Sequence, residues 1–182
     1  MNIEHKIKNR IKIFLLGLKI MFYIFFDEKK HGPLTICGDV EFQELSVKAL
    51  DILEKNDKDA YRLIVDNVAF LCQYKTSGIF PITIPTICII NKETIKHSSF
   101  YYIGILCHEA YHVFLCNQFK KEHYLCKDIP EETYSGKSAE IKCVKYARDV
   151  LKNLDVDISD FLPIQEVINS RWWEVPWSEQ NW

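Results

Sequence analysis

The 182-residue chain has no Cys-x-x-Cys pair. Its seven cysteines (37, 72, 88, 107, 116, 126 and 143) are odd in number, and most sit in apolar runs such as Thr86-Ile87-Cys88-Ile89-Ile90. That speaks against a disulfide framework. It reads as small buried hydrophobes in a reducing compartment, which points to the cytoplasm. A strong charge of either sign is also missing. The net charge of −2 argues against a general nucleic-acid binder. There is no internal repeat and no low-complexity segment. No apolar run reaches the roughly 20 residues of a transmembrane helix. The longest, residues 11–26, is shorter and contains Lys12 and Lys19. The Asp27-Glu28-Lys29-Lys30 that follows is no signal-peptide cleavage site. Methionine is confined to Met1 and Met21.

What remains is ordinary for one folded domain: 48% hydrophobic and 26% charged residues, with enough chain to bury a core. Residues 1–30 stand apart, with seven Lys/Arg against three Asp/Glu, which leaves the remainder near −6. On a helix, Lys8, Lys12 and Lys19 form one stripe among apolar neighbours. The expected division is a basic, apolar N-terminal helix over 1–30 and a folded domain over 31–182. The N-terminal helix docks on the domain with its lysine stems outward, contacts a membrane interface through residues 1–26, or forms a short membrane anchor. Docking is the preferred reading.

His31-Gly32-Pro33 is a break, and Leu34-Thr35-Ile36-Cys37 has the character of a short strand. Residues 41–55 predict a helix with Phe42, Leu45, Ala49, Leu50, Ile52 and Leu53 on its apolar face. After a turn at residues 56–59, a second helix is expected through about Gln73, burying Tyr61, Ile64, Val65, Val68 and Leu71. Residues 80–85 and 86–90 are β-branched and predict strands, with Pro81 and Pro85 confining the first to a sheet edge. Such an edge either binds an extended peptide through main-chain hydrogen bonds or is ordinary sheet.

The chemistry lies in the next stretch. His108-Glu109-Ala110-Tyr111-His112 is an H-E-x-x-H motif. Helical positions i and i+4 share one face, so two imidazoles at that spacing can bind one zinc ion together. Glu109 is turned about 100° round the helix, beside the metal but free to act on metal-activated water. The stretch reads as helical. Ser98 and Ser99 offer N-caps, no proline follows before Pro130, and Tyr101, Ile105, Leu106, Val113 and Leu115 supply buried faces. Two satisfied histidines on a half-buried helix is the plainer reading, and the triplet in this context outweighs it.

A catalytic zinc usually has three protein ligands and one open position. Four residues downstream are candidates for the third: His123, Glu131, Glu132 and Glu140. Glu140 opens an amphipathic helix over 138–154 whose apolar face is Ala139, Cys143, Val144, Ala147, Val150 and Leu151. It adjoins that face, where a carboxylate needs a partner if buried. Glu140 is preferred; complementing the helix dipole is its plainer role.

His108-Glu109-x-x-His112 followed by Glu140 on a second helix resembles the gluzincin branch of the zincin metallopeptidases. The resemblance covers about residues 80–155. It is specific at the first motif and weaker at the second, where Cys143 loosely fits a small residue three positions after the Glu. The chain departs from the metzincins, because Gln118 stands where their third His would be and no Met follows the motif. The resemblance implies an α+β fold, mainly helical, with a small sheet preceding the active-site helix and its edge strand along the cleft. It implies a Zn2+ cofactor held by His108, His112 and Glu140, Glu109 as general base, and a peptide or protein substrate. Zincins often add a Tyr or His to hold the oxyanion. Tyr134 and His123 are the candidates, beside a plainer and weightier role for Tyr134 as a loop aromatic packed on the core.

Residues 158–170 predict a last helix. Four Trp in the final eleven residues are expected to pack over the domain; a partner or membrane-interface contact is the alternative.

Overall fold

A computed structural model describes residues 28–80, 86–91, 93–94, 98–123, 129–159 and 161, with Leu15, Leu18, Asn169, Ser170 and Glu174 as isolated positions. The side chains of Phe80 and Glu131 are not among those described. The expected N-terminal helix, the prolines at 81 and 85, most of the last helix and the four tryptophans lie outside these residues. Among the described residues no helix is long and apolar enough to cross a membrane.

The fold is α+β, with a five-stranded mixed sheet preceding the motif helix, as expected. Strand β1 (Glu28–His31) turns through Gly32 and Pro33 into β2 (Leu34–Cys37) as an antiparallel hairpin. Gly32 has φ +55, and a glycine first in a two-residue loop is a favoured hairpin turn. The sheet thus takes in Glu28, Lys29 and Lys30, which the sequence division placed in the N-terminal segment. Their charged, exposed side chains suit an edge.

Helix α1 (Val40–Asn56) starts at Asp39, whose carboxylate accepts from the Phe42 N–H at 2.9 Å. Its buried Phe42, Ala49, Leu50 and Leu53 follow helical spacing. Helix α2 (Lys58–Asn67) is capped by Asp57, which accepts from Ala60 N–H at 3.0 Å.

Here the sequence expectation fails. The second helix stops at Asn67 instead of running to Gln73, and Phe70–Tyr74 is strand β3. A short apolar run has no periodicity that separates a buried strand from a helix. Its place in the sheet decides, because β3 is paired on both sides, parallel to β2 and to β5 (Ile87–Asn91). Gln73 then faces Asp39. Asp39 N–H donates to Gln73 Oε1 and Gln73 Nε2 to Asp39 Oδ2, each at 2.8 Å. The start of α1 is clamped to the middle of the sheet.

Strand β4 (Gly78–Phe80) runs antiparallel on the far side of β5, so the sheet order is β1-β2-β3-β5-β4. It meets the 80–85 expected only at Phe80, residues 81–85 lying outside the described ones, and among the described strands it is an edge.

Helix α3 (Ser99–Glu122) carries the motif. Ser98 caps it, accepting from Tyr101 N–H at 3.0 Å. Residues 102–110 are buried without a break, as in a helix covered on all sides. It packs against α1, α2, β4, β5 and α4 (Lys137–Asn153). Tyr102 Oη and Ser46 Oγ, 2.6 Å apart, join α3 to α1 inside the core. The buried face of α4 is Ala139, Cys143, Val144, Ala147, Val150 and Leu151, as expected, and includes Glu140.

Candidate metal centre

The motif helix presents His108 and His112 one turn apart, and the first turn of α4 brings Glu140 against them. Exposure is 7% for His108, 8% for Glu109, 4% for His112 and 0% for Glu140. The two Nε2 atoms are 3.0 Å apart. Glu140 Oε1 lies 3.0 Å from His112 Nε2, and Oε2 lies 3.4 Å from His108 Nε2. Neither carboxylate oxygen has a donor in hydrogen-bond geometry. A buried carboxylate without hydrogen bonds is costly unless a positive charge faces it. Ligand atoms placed about 2.0–2.1 Å from a tetrahedral ion stand about 3.3–3.4 Å apart. The 3.4 Å contact matches that edge and the two at 3.0 Å fall a few tenths of an ångström short of it, so the donor set is close to what a single metal ion requires.

The surroundings orient the ligands. His112 Nδ1 donates to the carbonyl oxygen of Tyr134, which leaves the Nε2 lone pair for the centre. The Cys143 thiol lies close to His112. Burial pushes that thiol up, so it stays protonated. His108 Nδ1 is buried with no partner among the described residues.

Electrostatics divide the two carboxyls. Burial alone would push Glu140 up, but His112 and His108 facing it outweigh this and hold it below its ordinary value. Glu109 is buried too. Burial raises its carboxyl, the two imidazoles pull against that, and Glu140 adds to the rise. The net effect is upward, the direction a proton acceptor working near neutrality requires.

The other expected site residues fall elsewhere. His123 caps the C-terminus of α3, stacked on Phe119 at 4.2 Å. It is exposed and roughly 16 Å along the helix from His112. Glu132 is exposed on the 3-10 turn Glu131–Thr133. The Tyr134 side chain packs, partly buried, against the hydrophobic core, and its carbonyl meets His112. Sequence reading missed that carbonyl, since a main-chain oxygen leaves no residue signature. Cys143 had one weak signal, its place three residues after Glu140.

His31, Asp51 and Glu54 form a second group of possible ligands. His31 Nε2 is 3.0 Å from Asp51 Oδ1 and its Nδ1 is 3.4 Å from Tyr61 Oη. Both carboxylates are in water, so no buried charge there calls for a cation.

Comparison with protein-family models, curated proteins and solved structures found no match for this chain.

Proposed function

We propose that the protein is a zinc-dependent metallopeptidase, or a hydrolase of a related amide bond, with a gluzincin-like His/His/Glu centre. The observation that carries this is the buried Glu140 carboxylate, set 3.0 and 3.4 Å from two imidazole nitrogens, close to the spacing of ligands around one tetrahedral ion. Two nitrogens and one carboxylate suit zinc among the common divalent ions. Zinc bound there supplies Lewis acidity, polarising a carbonyl and acidifying water.

The chain's own residues do the rest. His108, His112 and Glu140 bind with a net charge of −1, so the centre stays cationic. Glu109 accepts a proton from the attacking water and returns it to the leaving amine. A purely structural centre has no use for a buried carboxylate in that position. Strand β4 supports an extended peptide as substrate. It is a sheet edge that packs against the motif helix, and an extended chain can pair with such an edge.

The test is elemental analysis of the purified protein beside Glu140→Ala, followed by a peptide-substrate screen with Glu109→Gln as control. About one zinc per chain, its loss in the first variant and inactivity of the second are expected. A parent chain that takes up no zinc after reconstitution sinks the reading.

A further inference from the structure

Two groups of the centre come from one short stretch, residues 130–140. Tyr134 supplies the carbonyl on His112 Nδ1, and Glu140 supplies the carboxylate. The stretch folds on itself. Thr133 N–H donates to Pro130 O at 2.9 Å, and Glu140 N–H donates to Gly136 O at 3.0 Å. Gly136 is the N-cap of α4, yet it has no side chain to cap with. Glycine ranks below Asn, Asp and Ser at an N-cap, so helix stability gives no particular reason for it here.

Conformation gives none either. Gly136 has φ −79 and ψ 169, which any residue adopts. Space does give a reason. A Cβ at Gly136 would lie 2.9 Å from Glu132 Cα and 2.9 Å from Glu132 O. Both are backbone atoms and cannot swing aside as a side chain would. The chain therefore closes on itself between 132 and 136, and Tyr134 is at the middle of that loop.

We propose that Gly136 is a positioning residue for the metal centre: its bare Cα lets the 132–136 loop close and so keeps the Tyr134 carbonyl on His112 Nδ1. That hydrogen bond selects the His112 tautomer with its proton on Nδ1 and its lone pair on Nε2. A Cβ at 136 forces the loop open and withdraws the carbonyl, while all three ligands remain present. Losing an orienting partner of this kind typically weakens metal binding about 10- to 100-fold. The inference rests on the metal-binding reading above.

The experiment compares the full chain with Gly136→Ser, which adds a Cβ while keeping a favoured N-cap. Zinc affinity is read by competition with a chromophoric chelator, and the contact between Tyr134 and His112 by the protection of His112 Nδ1–H from solvent exchange in the zinc-loaded protein. The metal-free melting temperature is followed alongside. The expected result is zinc binding about 10- to 100-fold weaker, faster exchange of His112 Nδ1–H, and little change in melting temperature. Unchanged zinc affinity in Gly136→Ser, with the parent binding normally, overturns the inference and leaves the metal reading standing. Weaker binding with undisturbed protection of His112 Nδ1–H, or weakening matched by a general loss of metal-free stability, overturns it too. A parent chain without zinc affinity overturns the metal reading itself. If Gly136→Ser does not fold, Thr133→Pro takes its place. It deletes the bond to Pro130 O, one residue before Tyr134, and is expected to give the same pair of changes.

Discussion

His112 Nε2 stands 3.0 Å from Glu140 Oε1, although a helix end and a turn separate the two residues in the chain. Glu140 has no exposed surface, so its charge depends on the groups that face it rather than on solvent.

Glu140→Ala is therefore expected to abolish zinc uptake. For the parent, zinc at 100 times its dissociation constant should add about 2.7 kcal/mol of stability. The variant should show no zinc-dependent rise in melting temperature. A variant that still melts higher with zinc would move the third ligand away from Glu140.

Glu109→Gln should behave in the opposite way. The amide keeps the shape and leaves the three ligands untouched, so zinc content should match the parent. Hydrolysis of any peptide found to be a substrate should fall by about 10²–10⁴, the usual contribution of a general base. Full activity in this variant, measured with the same substrate, would remove Glu109 from the chemistry.

Tyr134→Phe and His123→Ala should both retain zinc. Tyr134 meets His112 through its carbonyl, which the first substitution preserves, and His123 lies at the far end of α3. The Phe variant then reports on the hydroxyl alone. If that group steadies an oxyanion, kcat drops by about 10²–10³ with zinc unchanged; an unchanged kcat assigns Tyr134 to packing. Zinc loss in either variant contradicts the geometry.

Gln73→Ala tests the sheet. It deletes both part-buried bonds between Gln73 and Asp39. A cost of about 1–3 kcal/mol is expected, read as a lower urea midpoint at constant slope. Had α2 continued to residue 73, the substitution would be a mild surface change, within about 0.5 kcal/mol. A midpoint that does not move would therefore argue against β3.

Local chemistry made much of this protein legible. Asp57 and Ser98 announce helix starts because a side-chain oxygen at that point satisfies an orphan N–H. The spacing of His108 and His112 is a property of any helix. Glu140 could be singled out because a carboxylate beside an apolar face is costly without a partner. In each case the information lies within about one or two helical turns, and the sequence alone carries it.

The rest depends on partners distant in the chain. Phe70–Tyr74 is a strand because β2 and β5 complete its hydrogen bonds on both sides, and no local pattern states that. The choice of Glu140 over His123 and Glu132 needed the packing of α4 on α3. The carbonyl of Tyr134 reaches His112 only because the loop before α4 closes at Gly136. Sequence by itself determined which side chains could bind a metal and where their helices begin. Tertiary structure decided which of them meet, because burial and convergence come from long-range packing rather than from residue type or spacing.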